Sequence, residues 1–210
     1  TTPIPERRTI QTPVDTGVIS LRGLSPQRHR FELEYALERG STANSVLFEA
    51  GDGAPAVLVH PPGAAYSDVF LPALAQALPG NAAELLVVVG HVNPNRVALL
   101  RNLAETYPAL ELIVSNPGAK LIEELWSQRK PAPPGQETEQ PPLPPLPRLR
   151  VIRQEQSLPL SHQRSLQLLP APTPRWPGGL LAHEESLGLL MSDKSSSETL
   201  CTANSAESNR

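Results

Sequence analysis

Four early segments, residues 17–22, 31–35, 44–49 and 56–59, carry strand-like patterns, and in the second of them Phe31, Leu33 and Tyr35 share one face. The joints Arg39-Gly40-Ser41 and Gly51-Asp52-Gly53 are turn-rich and predict hairpins, so the chain is expected to open with antiparallel pairing. From Leu85 the rhythm changes. A strand over 85–89 precedes Asn93-Pro94, which opens a helix whose Val97, Leu100, Ala104 and Tyr107 fall near helical spacing. A strand over 110–114 precedes Asn116-Pro117, which opens another helix with Leu121, Ile122, Leu125 and Trp126 inward. Asn suits an N-cap because its side chain accepts from an orphan backbone N–H, and Pro in the first turn has no N–H to leave unpaired. Residues 67–78 also read as helix, although Pro72 is expected to break it unless the helix begins nearby.

Eight prolines lie between Pro131 and Pro147, too many missing N–H groups for a sheet or helix, which predicts a polyproline-like surface excursion. Short strand-like runs resume at 149–152, 166–169 and 188–191, with 170–177 as a loop, and the polar stretch 195–210 is expected to be a disordered tail. Proline totals 25 of 210 residues, against a usual ~5%. The formal charge of −3 leaves no basic excess for nucleic-acid phosphates, so no nucleic-acid partner is expected. The single cysteine, Cys201, excludes an internal disulfide and thiolate-rich metal sites. No apolar run approaches the ~18 residues of a membrane helix. The start at Thr1, without Met or an apolar signal core, reads as a mature terminus or a cut.

Neither GxGxxG nor GxxxxGK[ST] occurs, so nucleotide phosphates find no glycine cradle. The run from Pro142 to Arg148 has the PxxP spacing read by SH3-type grooves, but an inert linker is the favoured reading. Ser161-His162 lacks a carboxylate placed to orient the imidazole and is taken as a surface loop. The informative stretch is Gly90-His91-Val92-Asn93-Pro94-Asn95-Arg96, which follows a buried strand, where α/β and αββα folds place ligands. There, His-x-[His/Glu]-x-Asp-His would ligate a dinuclear metal centre, but His91 alone survives. A helix cap accounts for Asn93-Pro94 without any site. It does not account for Arg96, whose cation in the first turn opposes the helix dipole by ~0.3 to 1 kcal/mol.

In order along the chain come Glu34-Tyr35-Ala36-Leu37-Glu38-Arg39-Gly40-Ser41-Thr42-Ala43-Asn44, His60-Pro61-Pro62-Gly63, the Gly90 to Arg96 segment, Ser115-Asn116-Pro117-Gly118, Pro172-Thr173-Pro174-Arg175-Trp176-Pro177 and Ser192-Asp193-Lys194. The series resembles flavodiiron proteins of oxygenic phototrophs, and among them the ligand-poor A-type subunit, over about residues 10–194. The resemblance implies a metallo-β-lactamase-like αββα sandwich, here incomplete at its C-terminal end. One such domain would occupy 1–194 with a Pro-rich insertion at 128–148, followed by the non-homologous tail at 195–210. The family's flavodoxin domain with FMN and the flavin reductase module of phototrophs would be absent.

Carried onto this chain, the family's iron ligands become a pattern of losses. His91 keeps the first; Asn93 stands for Glu, Asn95 for Asp, Arg96 and Arg175 for His, and Lys194 for Asp. Arg and Lys⁺ offer no lone pair, so di-iron is expected to be absent. Clustered cations would instead recruit a chloride, a phosphate or neighbouring carboxylates. The resemblance further implies dioxygen reduction to water as an electron sink for photosynthesis, with electrons from a reduced cofactor or ferredoxin. It implies a ligand-complete flavodiiron subunit, or a second copy, as partner. The expected location is the chloroplast stroma, or alternatively the cyanobacterial cytoplasm. The chain alone is expected to be inactive. The rivals are a non-catalytic β-lactamase-like scaffold for protein association and a zinc hydrolase, which lacks its ligands.

Overall fold

The structure is a computed structural model that describes residues 7–27, 40–78, 84–128 and 142–193. Among the described residues, eleven strands, three α-helices and one 3-10 turn follow in chain order. The first sheet joins β1 (Arg8–Asp15), β2 (Val18–Ser25), β3 (Ser41–Phe48), β4 (Ala56–Val59), β5 (Leu85–Val89), β6 (Glu111–Ser115) and β7 (Arg148–Ile152) in that spatial order. The expected antiparallel opening holds from β1 to β4. From β4 onward every pairing is parallel. The crossovers carry α1 (Ser67–Ala77), α2 (Pro94–Thr106) and α3 (Asn116–Ser127). The second sheet is antiparallel, with β8 (Gln156–Pro159), β9 (Ser165–Pro170), β10 (Leu180–Glu184) and β11 (Leu189–Met191) as consecutive neighbours.

Strands β4, β5 and β6 are buried at every position, because both faces of the first sheet are covered. On one face Leu58, Val87, Val89, Leu112 and Val114 pack against Phe70, Leu74, Leu100, Leu103, Ile122 and Trp126 of the helices. On the other, Val57, Val59, Leu86, Val88 and Ile113 meet Leu158, Leu166, Leu168, Leu180 and Ala182 of the second sheet. The described residues thus form three layers, helices on sheet on sheet.

Several sequence expectations shift. The helix cap expected at Asn116 is Ser115, whose hydroxyl accepts from Gly118 N–H at 3.2 Å; Asn116 is the first helical residue. Ser115 wins because its hydroxyl also donates to the Gly178 carbonyl at 2.9 Å, tying the helix start to the loop after β9. Pro72 does not break α1 but lies inside it, where its missing N–H takes the helical donor from the Asp68 carbonyl; both residues are exposed, where such a loss is tolerated best. Leu121 and Leu125 are half-buried flanks of the core, with Ile122 and Trp126 fully inward. Strands β1, β8 and β10 were not anticipated. The strand expected at 31–35, most of the proline insertion, Lys194 and the 195–210 tail lie outside the described residues. Pro142 to Pro147 run without secondary structure, and the Trp126 indole N–H donates to the Pro144 carbonyl at 2.9 Å. Ser161 is buried in the β8–β9 hairpin, donating to the Glu49 carbonyl at 2.8 Å, so it is a structural tie.

Candidate functional site

The site lies at the C-terminal ends of the parallel strands, where backbone groups and helix starts converge beside the second sheet. His60 follows β4, His91 follows β5, and Met191 to Asp193 leave β11. A cavity of about 1350 Å³ lies elsewhere: it borders the opposite strand ends, lined by Glu84, Leu110, Glu111, Arg148 and the Pro142 to Pro147 run.

Asn93 caps α2 as expected, its Oδ1 accepting from Arg96 N–H at 2.8 Å. That bond fixes the amide orientation, so Nδ2 faces His91 Nε2 at 3.1 Å and donates to it. The lone pair a metal would take from Nε2 is therefore engaged by an amide two residues away. The Trp176 ring packs edge-on against His91, the ring centroids 4.4 Å apart and the planes at 75°.

Arg96 is 7% exposed although it stands in the first turn of a helix. One guanidinium nitrogen donates to the His91 carbonyl at 3.0 Å and also to Asp193 Oδ2; the other reaches Asp193 Oδ1 at 3.3 Å. This two-point pair with a carboxylate is what offsets the helix dipole and the burial. Arg96 Nε is buried without a hydrogen-bond partner among the described residues. Burial by itself raises a carboxyl, but the adjacent Arg96 guanidinium holds the Asp193 carboxyl at about 2.

His60 is buried and adopts a left-handed backbone, φ 55°. Its Nδ1 accepts from Gly90 N–H at 3.1 Å, and its Nε2–H donates to the Met191 carbonyl at 3.2 Å, which describes a neutral ring. Burial pushes the imidazole below its ordinary value, and the Arg96 cation adds to this while Asp193 opposes it. The 3.8 Å approach of His60 Nδ1 to Asp193 is accordingly a contact between a neutral ring and a carboxylate.

Of the six positions read from the sequence, His91, Asn93 and Arg96 touch one another directly. Arg175 is exposed, its guanidinium 5.0 Å from the centroid of Trp176, and so joins the group through that indole. Asn95 is also exposed, its Cβ against the backbone of Gly63. Lys194 lies outside the described residues. Asp193, His60 and Trp176 were not read as site residues, although each sits inside a quoted motif. The signal for Asp193 was the unexplained buried cation at Arg96, which required an anion near it.

Among the described residues no three His, Cys, Asp or Glu side chains group so as to hold a metal ion. The donor set does not fit a di-iron centre: the imidazole of His91 is engaged, Arg96 presents only donors, and the Asp193 carboxylate is already paired. No described helix is long and apolar enough to cross a membrane.

No family model matches the chain. Among curated proteins, diflavin flavoprotein A 6 of Nostoc sp. is 35% identical over 190 residues, covering 90% of this chain and 30% of that protein. Diflavin flavoprotein A 4 of Synechocystis sp. is 35% identical over 178 residues, covering 83% of this chain and 26% of that one. The chain thus spans less than a third of the length of these relatives. Among solved structures, a metal-soaked Flv1 flavodiiron core from Synechocystis sp. aligns with a TM-score of 0.78 and 30% identity, over 95% of this chain and 45% of that one. Rubredoxin oxygen:oxidoreductase from Desulfovibrio gigas, at 16% identity and a TM-score of 0.74 over 92% of this chain and 43% of that one, shares the fold. The sheet-on-sheet architecture with helices outside is metallo-β-lactamase-like, and the chain belongs to the flavodiiron family.

Proposed function

We propose that this chain is the oxygen-reduction domain of an A-type flavodiiron subunit, one that contributes its fold but no iron pair. It would work beside a ligand-complete subunit that reduces dioxygen to water as an electron sink for photosynthesis, in the chloroplast stroma or the cyanobacterial cytoplasm. FMN would reside in a flavodoxin domain and not on the residues described. The observation that carries the reading is the engagement of His91 Nε2 by the Asn93 amide beside a buried Arg96 paired with Asp193. A dinuclear centre needs lone pairs at these positions, and they are spent within the chain. The cationic pocket keeps a demand for negative charge at the exposed Arg175 and at the unpartnered Arg96 Nε, which suits a chloride or phosphate.

A scaffold role through the proline run has less support. Leu143, Pro144 and Pro147 are half-buried, and Pro144 is bonded to Trp126, so the Pro144/Pro147 face of the run packs on this fold and only Pro142 and Pro145 are left to offer PxxP spacing at the surface. The proposed function is tested by coexpressing the chain with a ligand-complete flavodiiron subunit, followed by co-purification and iron analysis of each component. The expected result is a complex in which iron is confined to the partner. Two irons per copy of this chain would overturn the reading.

A further inference from the structure

Asp193 follows the last strand of the second sheet, and Arg96 belongs to a helix on the far side of the first. Their side chains are 9% and 8% exposed, and both carboxylate oxygens face the guanidinium. His60, 5% exposed, completes the enclosure: its Nδ1 stands 3.8 Å from Asp193 Oδ2. Two non-glycine residues here hold left-handed backbones, His60 at φ 55° and Asp193 at φ 50°. L-residues disfavour that region, and such outliers persist where the surroundings over-determine them. The chain thus bends against its preference at two contacting residues, and the outcome is a carboxylate delivered to a buried cation.

Resting on the metal-free reading of the site, we infer that Asp193 is a built-in counter-ion: its carboxylate fills, from within the chain, a seat for a small carboxylate anion formed by the Arg96 guanidinium and bordered by His60. By filling it, Asp193 fixes Arg96 against the His91 carbonyl and couples the end of β11 to the start of α2. The charged and titratable groups that act on Asp193 are Arg96, His60 and His91. The seat has the chemistry of carboxylate recognition, a planar fork of donors in a water-poor pocket. A negative side chain is needed there because a buried guanidinium left alone is strongly destabilising.

The test is chemical rescue in the full 210-residue chain, with formate as the probe. Asp193→Ala vacates the seat and is expected to lower Tm by roughly 10 °C. Formate should then raise the Tm of this variant along a saturable curve, while leaving the parent chain almost unmoved. The double variant Arg96→Met/Asp193→Ala, which lacks the cation, should show no rescue. If Asp193→Ala does not fold on expression, its refolding yield from denaturant with and without formate gives the same comparison. Equal formate effects on parent and variant, or rescue of the double variant, would overturn the inference. Iron on the parent chain would instead overturn the metal-free reading, so the two failures are distinguishable.

Discussion

Acid should unfold this protein partly through one carboxylate. Asp193 has a folded value of about 2 against an ordinary 3.8, and its side chain is 9% exposed, so solvent screening takes little from the effect. Because the folded state lowers this pKa, its contribution to stability is fully present above about 3.8. It is lost as pH falls toward 2, where the folded form also takes the proton. A shift of nearly two units at 1.36 kcal/mol each makes the contribution about 2.5 kcal/mol. Urea denaturation of the parent chain and of Asp193→Asn at several pH values between 5 and 2 isolates it, since every other carboxyl is common to both. The gap between the two stabilities should be largest at pH 5 and close by about 2 kcal/mol on the way to pH 2, where the folded carboxyl is half protonated. Parallel profiles with a constant gap would refute the reasoning, because the Arg96 pair would then be contributing nothing that depends on the charge of Asp193.

His60 titrates in an adjoining window. Its folded pKa is lowered, so the unfolded ring takes a proton below about 6.5 that the folded ring refuses, and stability should fall between pH 7 and pH 5. His60→Asn, which tolerates a left-handed backbone, should flatten that step in the same denaturation series. At the start of α2, Asn93→Ala should cost about 1 kcal/mol of unfolding free energy by removing the cap, whereas Asn93→Asp keeps it. The Asp variant offers His91 only acceptors in place of the amide donor. The imidazole should therefore move its proton to Nε2, and ¹⁵N chemical shifts of His91 that match the parent would refute the hydrogen-bond assignment.

Buried parallel strands were the most legible part of the sequence. Ala56–Val59 and Leu85–Val89 are continuous apolar runs with both faces covered, and their limits match the structure. Edge and second-sheet strands were less legible because their signals are local and mixed. β1 contains Pro13 and is largely exposed, and β8 has Leu158 as its one buried residue, so neither offers a clear alternation. The α3 cap moved by one residue because Ser115 gains a second partner in Gly178, a contact 63 positions away that no local pattern contains. The site was half legible for the same reason. His91, Asn93 and Arg96 lie within six consecutive residues and can be read together, but their counterpart Asp193 is 97 positions from Arg96 and only folding brings it near.

If the site is metal-free as proposed, the local demands of the α2 start explain how the loop keeps its shape. A helix N-cap requires an oxygen that reaches back to the first-turn N–H groups, and Asn supplies one as well as a carboxylate does. Its spare amide then gives His91 a donor in the direction where a metal would sit. A guanidinium at position 96 would by itself oppose the helix dipole, yet its length lets it leave the helix axis and reach the second sheet, where Asp193 neutralises it. Apart from Arg96 Nε, the groups named at this junction have partners within the chain: His91 has Asn93, Arg96 has Asp193 and the His91 carbonyl, and Arg175 has the face of Trp176. The two sheets are joined here by an ion pair and hydrogen bonds, so the junction does not require a bound metal to persist.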